Sequence, residues 1–129
     1  MIVLDASALL DLLLGTDRAE VVFSLIDDPG DSLCAPDHLM IETARVLRRH
    51  ALAGHLADEA AGARLGDALD LDILLFPSAD LIPRAWQLRN RFSLDDALYV
   101  ALTESVGGPL VTTDRRLARV AADLISTCP

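Results

Sequence analysis

Short apolar runs alternate with longer helix-like segments along the whole chain, and this alternation constrains the fold most. Ile2-Val3-Leu4, Leu33-Cys34-Ala35, Ile73-Leu74-Leu75-Phe76 and Leu110-Val111-Thr112 are each closed by an aspartate, a proline or a Thr-Asp pair. Runs this short, stopped this sharply, read as buried strands. Strands that alternate with helical segments predict an α/β fold, with a central parallel sheet of four or five strands and helices on both faces. A fifth short strand is expected over Leu124 to Ser126. Residues 1–129 read as a single domain, with no repeat, linker or low-complexity stretch.

The expected helices follow from their punctuation. Ala6 to Leu14 ends at Gly15, and Asp17 is placed to cap a helix from Arg18 to Ile26. A long helix is expected from Pro36-Asp37 to Ala53, ahead of Gly54. At ~100° per residue, its Leu39, Met40, Thr43, Val46 and Leu47 share one arc, with Glu42 and Arg49 at the edge. Leu56 to Leu69 forms another helix. The next runs to Arg91, and its regular part is placed near Ile82 because Pro83 belongs in a first turn. Trp86 reads as a core anchor, with base stacking as the alternative. Ser93 and Asp96 have capping-box spacing at the start of a further helix. The last helix is expected over Arg115 to Ala122, with Asp114 as a natural cap.

Charge and composition exclude several activities. The net charge is −9, and all eleven basic residues are arginine. Without lysine there is no P-loop, no Schiff-base chemistry and no receiver-type phosphoacceptor site. A small α/β phosphatase is disfavoured too, because Asp5-Ala6-Ser7 lacks a second aspartate two residues on. Two cysteines in no paired spacing give neither a disulfide framework nor a zinc site. No apolar stretch approaches the roughly 20 residues that span a bilayer, and no signal peptide is evident, so a cytoplasmic location and no membrane partner are expected.

Asp5, Glu42, Asp96 and Asp114 stand out as a set. Each has an ordinary reading alone: Glu42 as a surface glutamate paired with Arg45 or Arg49, Asp96 as a helix-start carboxylate, Asp114 as a cap. Together they carry a pattern. Asp5 and Asp114 end strands, where sites in such sheets collect, and Glu42 and Asp96 begin helices from the same edge. Four carboxylates without a lysine raise one another's pKa, and a divalent cation resolves the conflict. Oxygen-only ligands favour Mg²⁺, with Mn²⁺ as the second choice.

Four segments carry a family resemblance: Ile2-Val3-Leu4-Asp5-Ala6-Ser7-Ala8-Leu9; Ala35-Pro36-Asp37 with Glu42 following; Asp96-Ala97-Leu98-Tyr99-Val100-Ala101-Leu102; and Pro109-Leu110-Val111-Thr112-Thr113-Asp114-Arg115-Arg116-Leu117. In this order and spacing, from Met1 to about Ile125, the chain resembles PIN-domain proteins, most closely the VapC-type toxins of bacterial toxin–antitoxin pairs. The resemblance implies a PIN-like three-layer α/β/α fold and a metal-dependent endoribonuclease. It makes Asp5, Asp96 and Asp114 the main ligands and has Glu42 bind metal or position the water. In-line attack by a metal-activated water would leave 5′-phosphate and 3′-hydroxyl ends. Ser7 and Thr112 are candidates to hold a ligand carboxylate. Arg49, Arg115 and Arg116 are candidate RNA contacts, against salt bridging with surface acids. The resemblance also implies a cognate VapB-type antitoxin and a homodimer through the early helices, giving a heterotetramer or larger assembly with the antitoxin. A non-catalytic PIN-like binding module and a structure-specific DNA nuclease are the competing readings.

Overall fold

A computed structural model describes all residues 1–129. Five parallel strands, β1 (Ile2–Leu4), β2 (Leu33–Pro36), β3 (Ile73–Phe76), β4 (Leu110–Val111) and β5 (Thr127–Cys128), lie in the order β3-β2-β1-β4-β5. Seven helices join them: α1 (Ala6–Leu14), α2 (Ala19–Ile26), α3 (Leu39–Leu52), α4 (Asp58–Asp70), α5 (Ser78–Gln87), α6 (Leu94–Val106) and α7 (Arg115–Ala121). From β1 to β3 the chain crosses the sheet one way, and from β3 to β5 it crosses back. Right-handed crossovers therefore put α1–α4 on one face and α5–α7 on the other, the three-layer arrangement expected. The order reverses between β1 and β4, which pair at Val3–Leu110 and Leu4–Val111. The carboxyl ends of these two strands form the switch point of the sheet.

The core explains why the strand runs lack alternation. Val3, Leu4, Cys34, Ala35, Leu110 and Val111 are all buried, as strands covered on both faces require. Helix α6 is the most buried helix, with every residue from Ala97 to Thr103 inside. It packs across β1, β2 and β4. Its alanines admit that close approach. At its end Gly107 takes a left-handed φ of 73°, and a Cβ on Gly108 would lie 1.8 Å from the Met1 carbonyl oxygen. Only glycine lets this turn pass beside the start of β1.

Four local expectations are corrected. Asp17 does not cap α2. Arg18 stands at the cap without a side-chain bond, because Thr16 receives the Arg18 and Ala19 amides instead. Helix α5 starts at Ser78, not near Ile82. The Asp37 carboxylate accepts from both the Ser78 amide and the Ser78 hydroxyl, a cap from 41 residues away, and Pro83 is left in the helix interior. Trp86 is 59% exposed and is no core anchor; Ala85 and Leu88 take the inward face, and the Arg89 guanidinium lies 4.7 Å above the indole. The last strand lies at Thr127–Cys128, because Leu124 and Ile125 still donate helically to the Ala121 carbonyl.

Candidate active site

The site begins where β1 turns into α1. Asp5 ends the strand and caps the helix, its Oδ1 accepting from the Ala8 amide at 2.9 Å. The Ser7 hydroxyl donates to the same oxygen at 2.7 Å. Ser7 also lies 3.2 Å from the Thr112 hydroxyl and accepts from the Thr113 amide at 3.0 Å. Thr112 in turn accepts from the Asp114 amide at 3.1 Å. Two hydroxyls thus lace the ends of β1 and β4 together, and the chain leaves β4 with Asp114 beside Asp5. Asp114 caps α7, accepting from the Arg116 and Leu117 amides.

The other two acids arrive on helix starts. Glu42 lies in the first turn of α3, half-buried, and neither Arg45 nor Arg49 is its partner. Its Oε1 instead accepts from the Tyr99 hydroxyl at 2.8 Å and lies 2.8 Å from His38 Nε2. Asp96 lies in the first turn of α6, which Ser93 caps by accepting from the Asp96 amide at 3.2 Å.

Electrostatics tie the four together. Burial raises the Asp5 carboxyl from 3.8 to about 6; the Thr112 and Ser7 hydroxyls and the Ala8 amide offset part of that, and the Asp114 charge adds to it. Burial also raises Asp96, and the charges of Asp114 and Glu42 push it further, while Ser93 and Arg116 pull it back. Tyr99 is held far above the phenol range by burial and by the Glu42 carboxylate, so it stays a hydrogen-bond donor. The couplings run pairwise, Asp5 with Asp114 and Asp96 with Asp114 and Glu42, so acids from four separate segments act on one another at this end of the sheet. An oxygen-rich set of this kind fits a hard divalent cation, and Asp5, Glu42, Asp96 and Asp114 are the residues that would hold it.

Sequence reasoning missed His38 and Tyr99. His38 stands four residues before Glu42, a spacing the sequence carries; Tyr99 lies inside the buried run of α6, and its bond to Glu42 is visible only in the tertiary structure. The arginines divide. Arg64, Arg84 and Arg91 are consumed by Asp67, Glu104 and Asp123, whereas Arg49, Arg115 and Arg116 are exposed with no carboxylate partner. Arg116 is near enough to Asp96 to lower its pKa, and Arg115 lines a cavity of about 370 Å³ beside Asp114. Nothing links Arg49 to the four acids.

Alongside this sheet order and the acids at its switch point, the sequence matches a family model, PIN domain, over residues 2–123. The chain belongs to the PIN-domain family, on its VapC ribonuclease branch. Ribonuclease VapC12 of Mycobacterium tuberculosis is 34% identical over 119 residues, covering 92% of this chain and 91% of that protein. Ribonuclease VapC1 of the same organism is 39% identical over 119 residues, covering 90% and 87%. Among solved structures, Mycobacterium tuberculosis VapC20, described as a sarcin-ricin loop cleaving toxin, superposes with a TM-score of 0.75 at 23% identity over the full length of both chains, a likeness of fold.

Proposed function

We propose that the protein is the toxin of a toxin–antitoxin pair, an endoribonuclease that hydrolyses phosphodiester bonds in structured RNA with Mg²⁺, or Mn²⁺ in its place. The observation that carries this reading is the convergence of Asp5, Glu42, Asp96 and Asp114 at the sheet's switch point, two of them with raised pKa values caused partly by the others. The relatives named as ribonucleases make RNA the substrate of choice over DNA. When bound, a divalent ion supplies charge neutralisation at the phosphate and a more acidic attacking water. The protein's part is positioning. Asp5 is locked by Ser7 and Ala8, Glu42 by Tyr99, and Asp96 by the Ser93 cap. Arg115 and Arg116 stand at the rim as phosphate contacts. A 5′-phosphate and a 3′-hydroxyl are the expected products.

The acidic surface suits an inhibitor segment bearing arginine, as an antitoxin would supply. Leu9, Leu10, Leu12 and Leu13 of α1 are absorbed into the core or its margin, which leaves Val21 and Phe23 on α2 as the exposed apolar surface of the early helices, the region proposed for a homodimer. No helix is long and apolar enough to cross a membrane; the cytoplasm, where RNA and antitoxin meet, is the proposed location.

The test is cleavage of a structured RNA by antitoxin-free protein, with a DNA of the same sequence alongside. Cleavage of RNA alone, abolished by EDTA and by Asp5→Asn, is the expected result. Cleavage that persists in the Asn variant, or no cleavage by the wild type in Mg²⁺ or Mn²⁺, refutes the proposal.

A further inference from the structure

Asp95 and Asp96 are neighbours in the first turn of α6, so their side chains point about 100° apart. Asp96 faces the acids just described. Asp95 faces His38, whose Nε2 is 3.7 Å from Asp95 Oδ1 and 2.8 Å from Glu42 Oε1. The donor atoms of His38, Glu42 and Asp95 all lie within 4.8 Å of one another.

The imidazole is the unusual member. Its side chain is 13% exposed, and both ring nitrogens are buried without a hydrogen bond. The short approach to Glu42 does not qualify as one, because the carboxylate oxygen lies off the axis along which Nε2 would donate. A ligand oxygen must lie off that axis if an ion sits on it. Buried nitrogens left unmatched need an explanation. The ring is fixed by packing on Tyr99, at 4.8 Å between centroids, and Tyr99 also holds Glu42. A His and a Glu one helical turn apart, with a carboxylate from a second helix, make a three-donor set that leaves further positions open. Asp95, 55% exposed, gives an ion a path from solvent.

We propose that His38, Glu42 and Asp95 form a second cation site, selective for an ion that binds imidazole as well as oxygen, with zinc as the reference. Mg²⁺, which demands oxygen ligands, does not compete there. Glu42 belongs both to this site and to the proposed nuclease centre, so zinc occupancy withdraws Glu42 and inhibits cleavage. The inhibitory consequence rests on the nuclease reading; the binding site does not.

The experiment is calorimetric titration of the full chain with Zn²⁺ in excess Mg²⁺, on wild type, His38→Gln, Asp95→Asn and Asp5→Asn, with melting curves to establish folding. One zinc site is expected in the wild type, weakened about tenfold or more by His38→Gln and Asp95→Asn, in line with losing a ligand, and retained by Asp5→Asn. In the cleavage assay, zinc inhibits the wild type, and Asp95→Asn shifts inhibition to about tenfold higher zinc. No zinc binding by the wild type, or equal binding by folded His38→Gln, overturns the site. Loss in Asp5→Asn alone assigns the ion to the four-carboxylate set and overturns it as well. If RNA is not cleaved under any condition, the titration still decides the matter.

Discussion

On the β1–β4 side of the site, the acids hang on backbone. Asp5 and Asp114 follow paired strands, cap the next helices, and are laced by Ser7 and Thr112 through bonds of 2.7–3.2 Å. On the α3–α6 side, Glu42 and Asp96 reach in from two helices on opposite faces of the sheet, and Glu42 is held by the Tyr99 hydroxyl, with His38 beside it but not hydrogen-bonded to it. Strand ends in register are fixed by the backbone bonds of the sheet, whereas α3 and α6 meet at the site through side chains, Tyr99 with Glu42. The comparison assigns the first side to anchoring and the second to adjustment.

The largest effect is expected at Asp5. Asp5→Asn should lower activity beyond the roughly 100-fold that marks removal of a supporting group. It should also stabilise the metal-free protein. A carboxyl moved from 3.8 to about 6 by burial disfavours its ionised form by on the order of 3 kcal/mol. The native state holds the proton in that interval while the unfolded state releases it. Wild-type stability should therefore fall as pH rises from about 4 to about 6 and stay low above, and Asp5→Asn should flatten that slope. Melting curves against pH, without and with Mg²⁺, test this. A metal-free wild type that gains stability over the same interval, after allowance for other groups by the Asn variant, contradicts the assignment.

Ser7→Ala comes next. It removes the donor to Asp5 and strands the Thr113 amide, so both anchors loosen. A loss of about 10- to 100-fold in apparent Mg²⁺ affinity is expected, together with about 1–3 kcal/mol of stability. Tyr99→Phe should cost less, about three- to tenfold in turnover, in line with losing one hydrogen bond, because Glu42 keeps its place in the first turn of α3 and the ring still packs. If Tyr99→Phe proves worse than Ser7→Ala when kcat and metal affinity are measured side by side, the roles of the two sides are reversed.

The same contrast governs what could be read from the sequence. The anchoring side was legible because its logic is local: an apolar run, an aspartate, a helix start, twice over. Strands β1 and β3 and helix α1 were legible at their ends for the same reason, each closed by a cap, a glycine or a proline. Elements that depend on distant groups were misjudged. The start of α5 is set by Asp37, far along the chain, which no local window contains. Trp86 was placed inside on side-chain chemistry alone, although Ala85 and Leu88 already fill that face. On the adjusting side, the sequence singles out Glu42 and Asp96 as candidates, but not Tyr99, which bonds Glu42, or His38 beside it. Tyr99 is 57 residues from Glu42 and sits among apolar neighbours that gave it the look of core.

The smallest effect is the most direct probe of the adjusting side. Ser93 caps α6 just before Asp95 and Asp96 by accepting from the Asp96 amide, and its hydroxyl also favours the ionised Asp96 carboxylate and so lowers the pKa of Asp96. Ser93→Ala should cost about 1 kcal/mol of stability, as loss of a helix cap does. With that help gone, the already raised Asp96 carboxyl rises further, and the acidic limb of the pH–rate profile should move to higher pH. The plateau rate at high pH should change little, since ionised Asp96 is still present there. Asp5, on the other side of the site, is untouched by the substitution, so a shift of the limb assigns it to Asp96. An acidic limb that stays in place while stability falls would show that Ser93 supports the helix alone, and that the ionisation limiting the rate belongs to the anchoring side.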